Sequence, residues 1–240
     1  MQLIRSIIFQ IWMYGSMMII GTVFLPVAIW SRAGTYWVID LYLNITFWTL
    51  KHLCGLTYEV RGTPPTGHAM VAAKHQCFLD VLIIVKSLDQ PKFVFKRSLI
   101  WAPILGIYAL RTGATTVTRG KGAESMVDMM DRIAKNKAEP GQFVIYPQGT
   151  RVEPGVKARY KVGAYAIYKT YEAPCTFAAV NTGLFWPRKG LIRRPGVAVV
   201  EFLDPIEPGV PQDDFMEMME ERIETASEAL DREARERFDL

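Results

Sequence analysis

Residues 6–31, SIIFQIWMYGSMMIIGTVFLPVAIWS, carry no charged side chain, and a run of that length can cross a bilayer as one helix. Gly15, Gly21 and Pro26 interrupt it and would loosen a straight span. A second, more amphipathic stretch follows, YWVIDLYLNITFWTLKHLCG, with Tyr36, Trp37, Tyr42 and Trp48. Aromatic side chains of this kind favour a membrane interface. Two arrangements satisfy the pattern: a single span, or a two-helix hairpin lying in one leaflet. A secretory leader does not fit, because only Arg5 precedes the run, the run is too long, and no small-residue cleavage site follows it.

From about residue 57 the texture changes. TYEV, AMVAA, KFVF, ATTVT, QFVIY, CTFAAV and VAVVEFL are short β-prone runs. Helical stretches at 79–88, 99–110, 123–136 and 158–170 lie between several of them. This alternation predicts an α/β fold with a mixed, largely buried sheet flanked by helices. Over 213–238, Phe215, Met219, Ile223, Ala226, Leu230 and Ala234 recur at three- and four-residue spacing, which predicts one long amphipathic helix. The expected division is therefore residues 1–54 as membrane-anchoring helices, 55–212 as the α/β domain, and 213–240 as an acidic C-terminal helix.

The charge distribution follows the same boundaries. The net charge is +4, but it combines a net −7 from Asp213 onward with a net +11 over residues 1–212. A basic body suits an anionic partner such as a phosphate or an anionic lipid. Half the residues are apolar. The three cysteines, Cys54, Cys77 and Cys175, have neither the even number of a disulfide framework nor zinc-ligand spacing, and they fit a reducing, cytosol-facing location. No nucleic-acid-binding module is present.

The candidate chemistry begins at AAKHQCFLDV, residues 72–81. On one regular helix His75 and Asp80 would point well apart, because five residues rotate by about 500°. They meet only if His75 lies on the loop before a helix and Asp80 sits in its first turns, facing back. A histidine with a carboxylate on its second ring nitrogen is a general base of fixed tautomer. The spacing alone fits equally a helix-start acid beside a loop histidine. His52 and His68 add no metal-ligand spacing. Cys77 raises a thiol-nucleophile reading, but two residues from His75 in the apparent turn a cysteine is more often a small filler. Further on, FVIYPQGTRVEPG is a strand exit in which Gly149, Thr150 and Arg151 offer backbone amides, a hydroxyl and a guanidinium to an oxyanion or phosphate. Lys96, Arg97, Arg111 and Arg119 are cations set among apolar segments. Trp186, Leu191 and Ile192, ringed by Arg188, Lys189, Arg193 and Arg194, suit an anionic membrane surface.

The order of these pieces resembles the bacterial 1-acyl-sn-glycerol-3-phosphate acyltransferase family over nearly the whole chain. The family's His-x4-Asp motif is matched by His75 and Asp80. Its block Lys-x-Glu-Leu-x3-Pro-x2-Gly-x6-Gly-x5-Arg falls on Lys96, Leu99, Pro103, Gly106, Gly113 and Arg119. Its block Phe-Pro-Glu-Gly-Thr-Arg is Tyr146 to Arg151, and its last block keeps Pro174 and Asn181. Positions in the first three blocks depart from it: Lys74 where Asn is frequent, Cys77 for Ser, Ser98 for Glu and Gln148 for Glu. In the last block Phe177 also replaces a Pro.

The resemblance implies acyl transfer from acyl-CoA or acyl carrier protein to the sn-2 hydroxyl of lysophosphatidic acid, giving phosphatidic acid for phospholipid biosynthesis. His75 would be the base and Asp80 its partner. Lys96, Arg119, Thr150 and Arg151 would hold the phosphate, and the turn at Gly149 the oxyanion. No metal and no cofactor beyond the thioester co-substrate is implied. The implied location is the cytoplasmic face of the bacterial inner membrane, with the N-terminal helices as a hairpin. Two alternatives stay open: the same chemistry on another acceptor such as a lyso-ornithine lipid, and a non-catalytic membrane protein that binds anionic lipid.

Overall fold

The computed structural model describes residues 1–117, 130–134 and 140–239. Among these, seven strands form one sheet. They are β1 (Leu56–Gly62), β2 (His68–Ala73), β3 (Pro91–Lys96), β4 (Thr115–Val117), β5 (Gly141–Ile145), β6 (Cys175–Val180) and β7 (Gly196–Phe202). Their order is β1-β7-β6-β2-β5-β3-β4. The only antiparallel pairing in this set is β6 with β7, so the sheet is mixed. Its central strands β5 and β6 are buried along their whole length, and strands covered on both faces read as continuous apolar runs rather than alternating ones.

Side chains along a strand alternate between the two faces, and the core divides accordingly. Val71 and Ala73 of β2 and Val144 of β5 join a cluster with Phe9, Met13, Leu43 and Phe47 from the N-terminal helices. Met70, Ala72, Phe143 and Ile145 join the opposite cluster. The first face is covered by α1 (Gln2–Val23), α3 (Arg32–Thr49) and α4 (Phe78–Ser87). The second is covered by α6 (Gly163–Tyr171) and α8 (Gln212–Phe238).

At the N-terminus, α1 stops at Val23 and the short α2 (Leu25–Trp30) begins with Pro26 in its first turn, where the missing N–H costs nothing. α3 then returns antiparallel to α1. Gln2 Nε2 donates to the Cys54 carbonyl at 2.9 Å, Trp12 Nε1 to Thr49 Oγ1 at 3.1 Å, and the Tyr42 hydroxyl to the Met13 carbonyl at 3.3 Å. The outward face of α1 keeps Ile4, Ile11 and Ile19 exposed. α1 is, among the described residues, the one helix long and apolar enough to cross a membrane.

The stretch 99–110, expected as one helix, is a 3-10 turn (Arg97–Trp101) followed by α5 (Leu105–Arg111). Pro103 interrupts it, since the residue before a proline is biased out of the helical region. Ile104 then takes φ +62, and the chain folds so tightly that a Cβ on Gly106 would overlap the Ile100 carbonyl oxygen. The helix expected over 158–170 begins only at Gly163, because the backbone N–H of Lys161 is drawn away to the Pro147 carbonyl at 3.0 Å. Of the helix expected over 123–136, residues 130–134 are helical, and the others lie outside the described residues.

α8 buries Phe215, Met219, Ile223, Leu230 and Ala234. Phe215 stacks on Tyr168 at 4.1 Å and meets Phe177 edge-on at 5.7 Å. Removing a fully buried aromatic leaves a cavity, so Phe215→Ala is expected to lower the free energy of unfolding by about 3–5 kcal/mol. Urea unfolding of the two proteins in the same detergent measures this.

Candidate active site

β2, β5, β3 and β6 run parallel to one another, so the segments that leave their C-terminal ends emerge on one edge of the sheet. That edge is the usual place for a site in an α/β fold. β2 releases Lys74, His75 and Gln76, and β5 releases the run from Tyr146 to Arg151. β6 releases Asn181 and then Thr182, which opens the short α7 (Thr182–Phe185).

His75 lies between β2 and α4, and Asp80 stands at the third position of α4. Nδ1 of His75 and Oδ1 of Asp80 are 2.8 Å apart. The other carboxylate oxygen accepts the backbone N–H of Gln76 and of Cys77, both at 2.8 Å. The Thr182 hydroxyl stands 3.5 Å from it. Asp80 is fully buried, and these donors replace the water it has lost. A carboxylate can only accept, so Nδ1 carries the proton. Nε2 is then the basic nitrogen of the neutral ring, on a side chain that keeps 18% of its surface accessible.

The ring of Tyr146 stacks on His75, with centroids 4.1 Å apart and planes 22° apart. Tyr146 shares the strand parity of Val144, which sends it to the same face of the sheet as His75. Burial, and then the Asp80 carboxylate, hold its phenol proton on well above the ordinary range. Cys77 is wholly buried, and burial followed by the neighbouring Asp80 charge pushes its thiol up to about 12. A thiol so protonated is a poor nucleophile. It serves instead as the N-cap of α4, its sulfur accepting the Asp80 N–H.

His75 lines a cavity of about 970 Å³. One end is polar, bounded by Gly149, Thr150, Arg151, Lys161 and Arg188. The remainder is apolar and runs between α4 (Phe78, Val81, Val85), β3 (Phe93, Phe95) and the N-terminal helices (Met17, Ile20, Ile39). Gly149 takes φ +67, which calls for glycine in the turn, and the flexible end of Lys161 packs against it, 2.5 Å from where a Cβ would lie.

The structure thus brings His75, Asp80, Gly149, Thr150 and Arg151 to one place. The N–H of Gly149 itself donates to the Tyr146 carbonyl at 2.8 Å and closes the turn. The side chain of Lys96, at the end of β3, and the whole of Arg119 lie outside the described residues. Arg111 faces α2 rather than the cavity, bonding the Ala28 and Ile29 carbonyls at 3.1 and 2.9 Å.

The 186–194 loop is likewise less of a surface than its composition suggests. Trp186 and Arg193 are buried, with the guanidinium 4.1 Å from the ring centroid and bonded to Gln10 at 3.0 Å. Leu191 and Ile192 remain exposed. Lys161 escaped the sequence reading, and Arg188 was read there only as one of the cations of the 186–194 loop. Nothing in their neighbourhood marks them as chemical until Lys161 is pinned under the Gly149 turn and Arg188 bonds the Arg151 carbonyl at 2.8 Å.

Comparison with known proteins bears on these residues as a set. A family model described as Acyltransferase matches residues 57–182, a span that contains both the dyad and the glycine turn. The 1-acyl-sn-glycerol-3-phosphate acyltransferase of Pseudomonas aeruginosa is 23% identical over 203 residues, covering 83% of this chain and 79% of that protein. The 1-acyl-sn-glycerol-3-phosphate acyltransferase alpha of Mus musculus is 27% identical over 172 residues, covering 68% and 60%. The crystal structure of the 1-acyl-sn-glycerophosphate acyltransferase PlsC from Thermotoga maritima superposes with a TM-score of 0.79 over 95% of each chain at 17% identity, a likeness of fold.

Two substitutions test the geometry. A general base is worth roughly 10²- to 10⁴-fold in rate, so His75→Ala is expected to lose that much turnover per folded molecule. Cys77→Ser, which keeps a capping group and removes the thiol, is expected to retain turnover, as followed by release of free thiol from a thioester donor.

Proposed function

We propose that this chain, which belongs to the Acyltransferase family, moves a fatty acyl group from coenzyme A or acyl carrier protein to the sn-2 hydroxyl of lysophosphatidic acid, giving phosphatidic acid. The observation that carries this reading is the His75–Asp80 pair, with His75 lining a cavity that has cations among its polar residues and a largely apolar remainder. Nε2 of His75 takes the proton of the acceptor hydroxyl as its oxygen bonds to the thioester carbonyl carbon. Asp80 stabilises the imidazolium that forms. The tetrahedral intermediate collapses with cleavage of the C–S bond, and the proton passes to the departing sulfur. No acyl-enzyme is required, in keeping with the inert state of Cys77.

Arg151, Lys161 and Arg188 at the polar end suit a phosphate monoester, and Thr150 can add a hydroxyl. The apolar length suits an acyl chain. Lys96 and Arg119 remain in this proposal as further phosphate ligands. We place the protein on the cytoplasmic face of the bacterial inner membrane, with α1 and α3 as a hairpin in one leaflet. The exposed apolar face of α1 supports that placement, as does the even flanking of the helices by Arg5, Arg32 and Lys51, which sets no transmembrane orientation.

The test is acyl transfer by purified protein in detergent, with lysophosphatidic acid and lyso-ornithine lipid offered separately. Wild type is expected to form phosphatidic acid, and His75→Ala to form none above background. Charged hydrogen bonds contribute about 1.5–3 kcal/mol each, so Arg151→Ala or Lys161→Met is expected to raise KM for lysophosphatidic acid roughly 10-fold or more. Turnover with the ornithine lipid alone would keep the base and move the substrate. Turnover with neither lipid, from either donor, would overturn the reaction.

A further inference from the structure

The alternation that turns His75 toward the cavity turns Lys74 to the opposite face, and there it meets a group outside the dyad. Lys74 is 3% exposed, and its ammonium is paired with Oε2 of Glu224, on α8. Oε1 of the same carboxylate accepts the Tyr160 hydroxyl at 2.8 Å, and Nε2 of Gln148 approaches it at 3.4 Å. Gln148 is itself 3% exposed and precedes Gly149. One side chain from the C-terminal helix therefore holds the residue before the histidine, the residue before the glycine turn, and the tyrosine that leads into Lys161. Asp231, farther along α8, also acts on Lys74. Burial raises its carboxyl to about 6, against the pull of Lys74 and Arg235.

The block that Tyr146 to Arg151 resembles has a glutamate where this chain has Gln148, and this chain has a lysine at 74 where asparagine is frequent. Both departures lie within reach of Glu224. We infer that Glu224 is a positioning residue: its carboxylate replaces, from the C-terminal helix, the one absent at position 148, and it locks the His75 loop and the Gly149–Arg151 turn into one register. A glutamate at 148 would set a second carboxylate against Glu224 in a buried pocket, where like charges cannot both stay ionised cheaply. Removing the Glu224 charge alone would leave the Lys74 ammonium buried without its closest counter-charge. Moving the charge from 224 to 148 keeps the total.

The activity readout rests on the acyl-transfer reading; the stability readout does not. The test is a cycle of wild type, Gln148→Glu, Glu224→Gln and the double variant, each followed by kcat, KM and thermal midpoint. A loop displaced by about an ångström can cost up to roughly 100-fold in rate. Each single variant is therefore expected to lose about 10- to 100-fold in kcat with KM within about threefold, and the double variant to recover most of the rate and of the midpoint. Glu224→Gln with wild-type kcat overturns the inference, as does a double variant whose losses are the product of the single ones. A lowered midpoint with unchanged kcat per folded molecule also overturns it, since that is a brace with no bearing on the site. If wild type transfers no acyl group to any lysolipid, the reaction reading fails while the midpoint cycle still decides the link: recovery in the double variant supports it, and independent losses overturn it.

Discussion

Asp80 is sealed from water, and its carboxylate is held by donors on three consecutive residues: the imidazole of His75 and the backbone N–H groups of Gln76 and Cys77. A buried carboxylate without such donors would be prohibitively costly. The link from β2 to α4 therefore has little freedom: it must wrap around the head of the helix it opens. That wrapping fixes the imidazole tautomer, makes Cys77 an N-cap, and carries the His75 carbonyl to the Val152 N–H at 2.8 Å. The dyad and the glycine turn are thus one hydrogen-bonded unit, reached from two neighbouring strands.

The sheet supplies the rest through direction and parity. Parallel pairing of β2, β5 and β6 delivers His75, the glycine turn and Thr182 to one edge. Parity then sorts side chains by face, with His75 and Tyr146 turned toward α4 and the cavity, and Lys74 and Gln148 turned toward α8. The α4 face holds the cavity and the N-terminal helices. A second set of polar contacts, from Glu224 to Lys74, Gln148 and Tyr160, lies on the other face.

Much of this was legible in the sequence. The buried strands were visible as continuous apolar runs, α8 as a 3.6-residue period, and the meeting of His75 with Asp80 as the one placement their spacing allows. What was not legible depends on contacts between distant segments. Lys161 becomes part of the site only because its N–H is captured by Pro147, and Trp186 and Arg193 turn inward only because α1 offers Phe9 and Gln10. The break in the 99–110 helix was marked by Pro103, but the positive φ at Ile104 was not. Gln148 read as a lost charge, and nothing local could show that Glu224 lies beside it.

The central claim is that Asp80 fixes the tautomer of His75 and leaves Nε2 as the base. Nitrogen-15 chemical shifts of the imidazole rings at neutral pH test it most directly, with the His75 signals identified by their loss in His75→Ala. The account predicts a protonated, pyrrole-type Nδ1 and an unprotonated, pyridine-type Nε2 for His75, and loss of that preference in Asp80→Ala. A protonated Nε2 with a bare Nδ1 in the wild-type protein would contradict it.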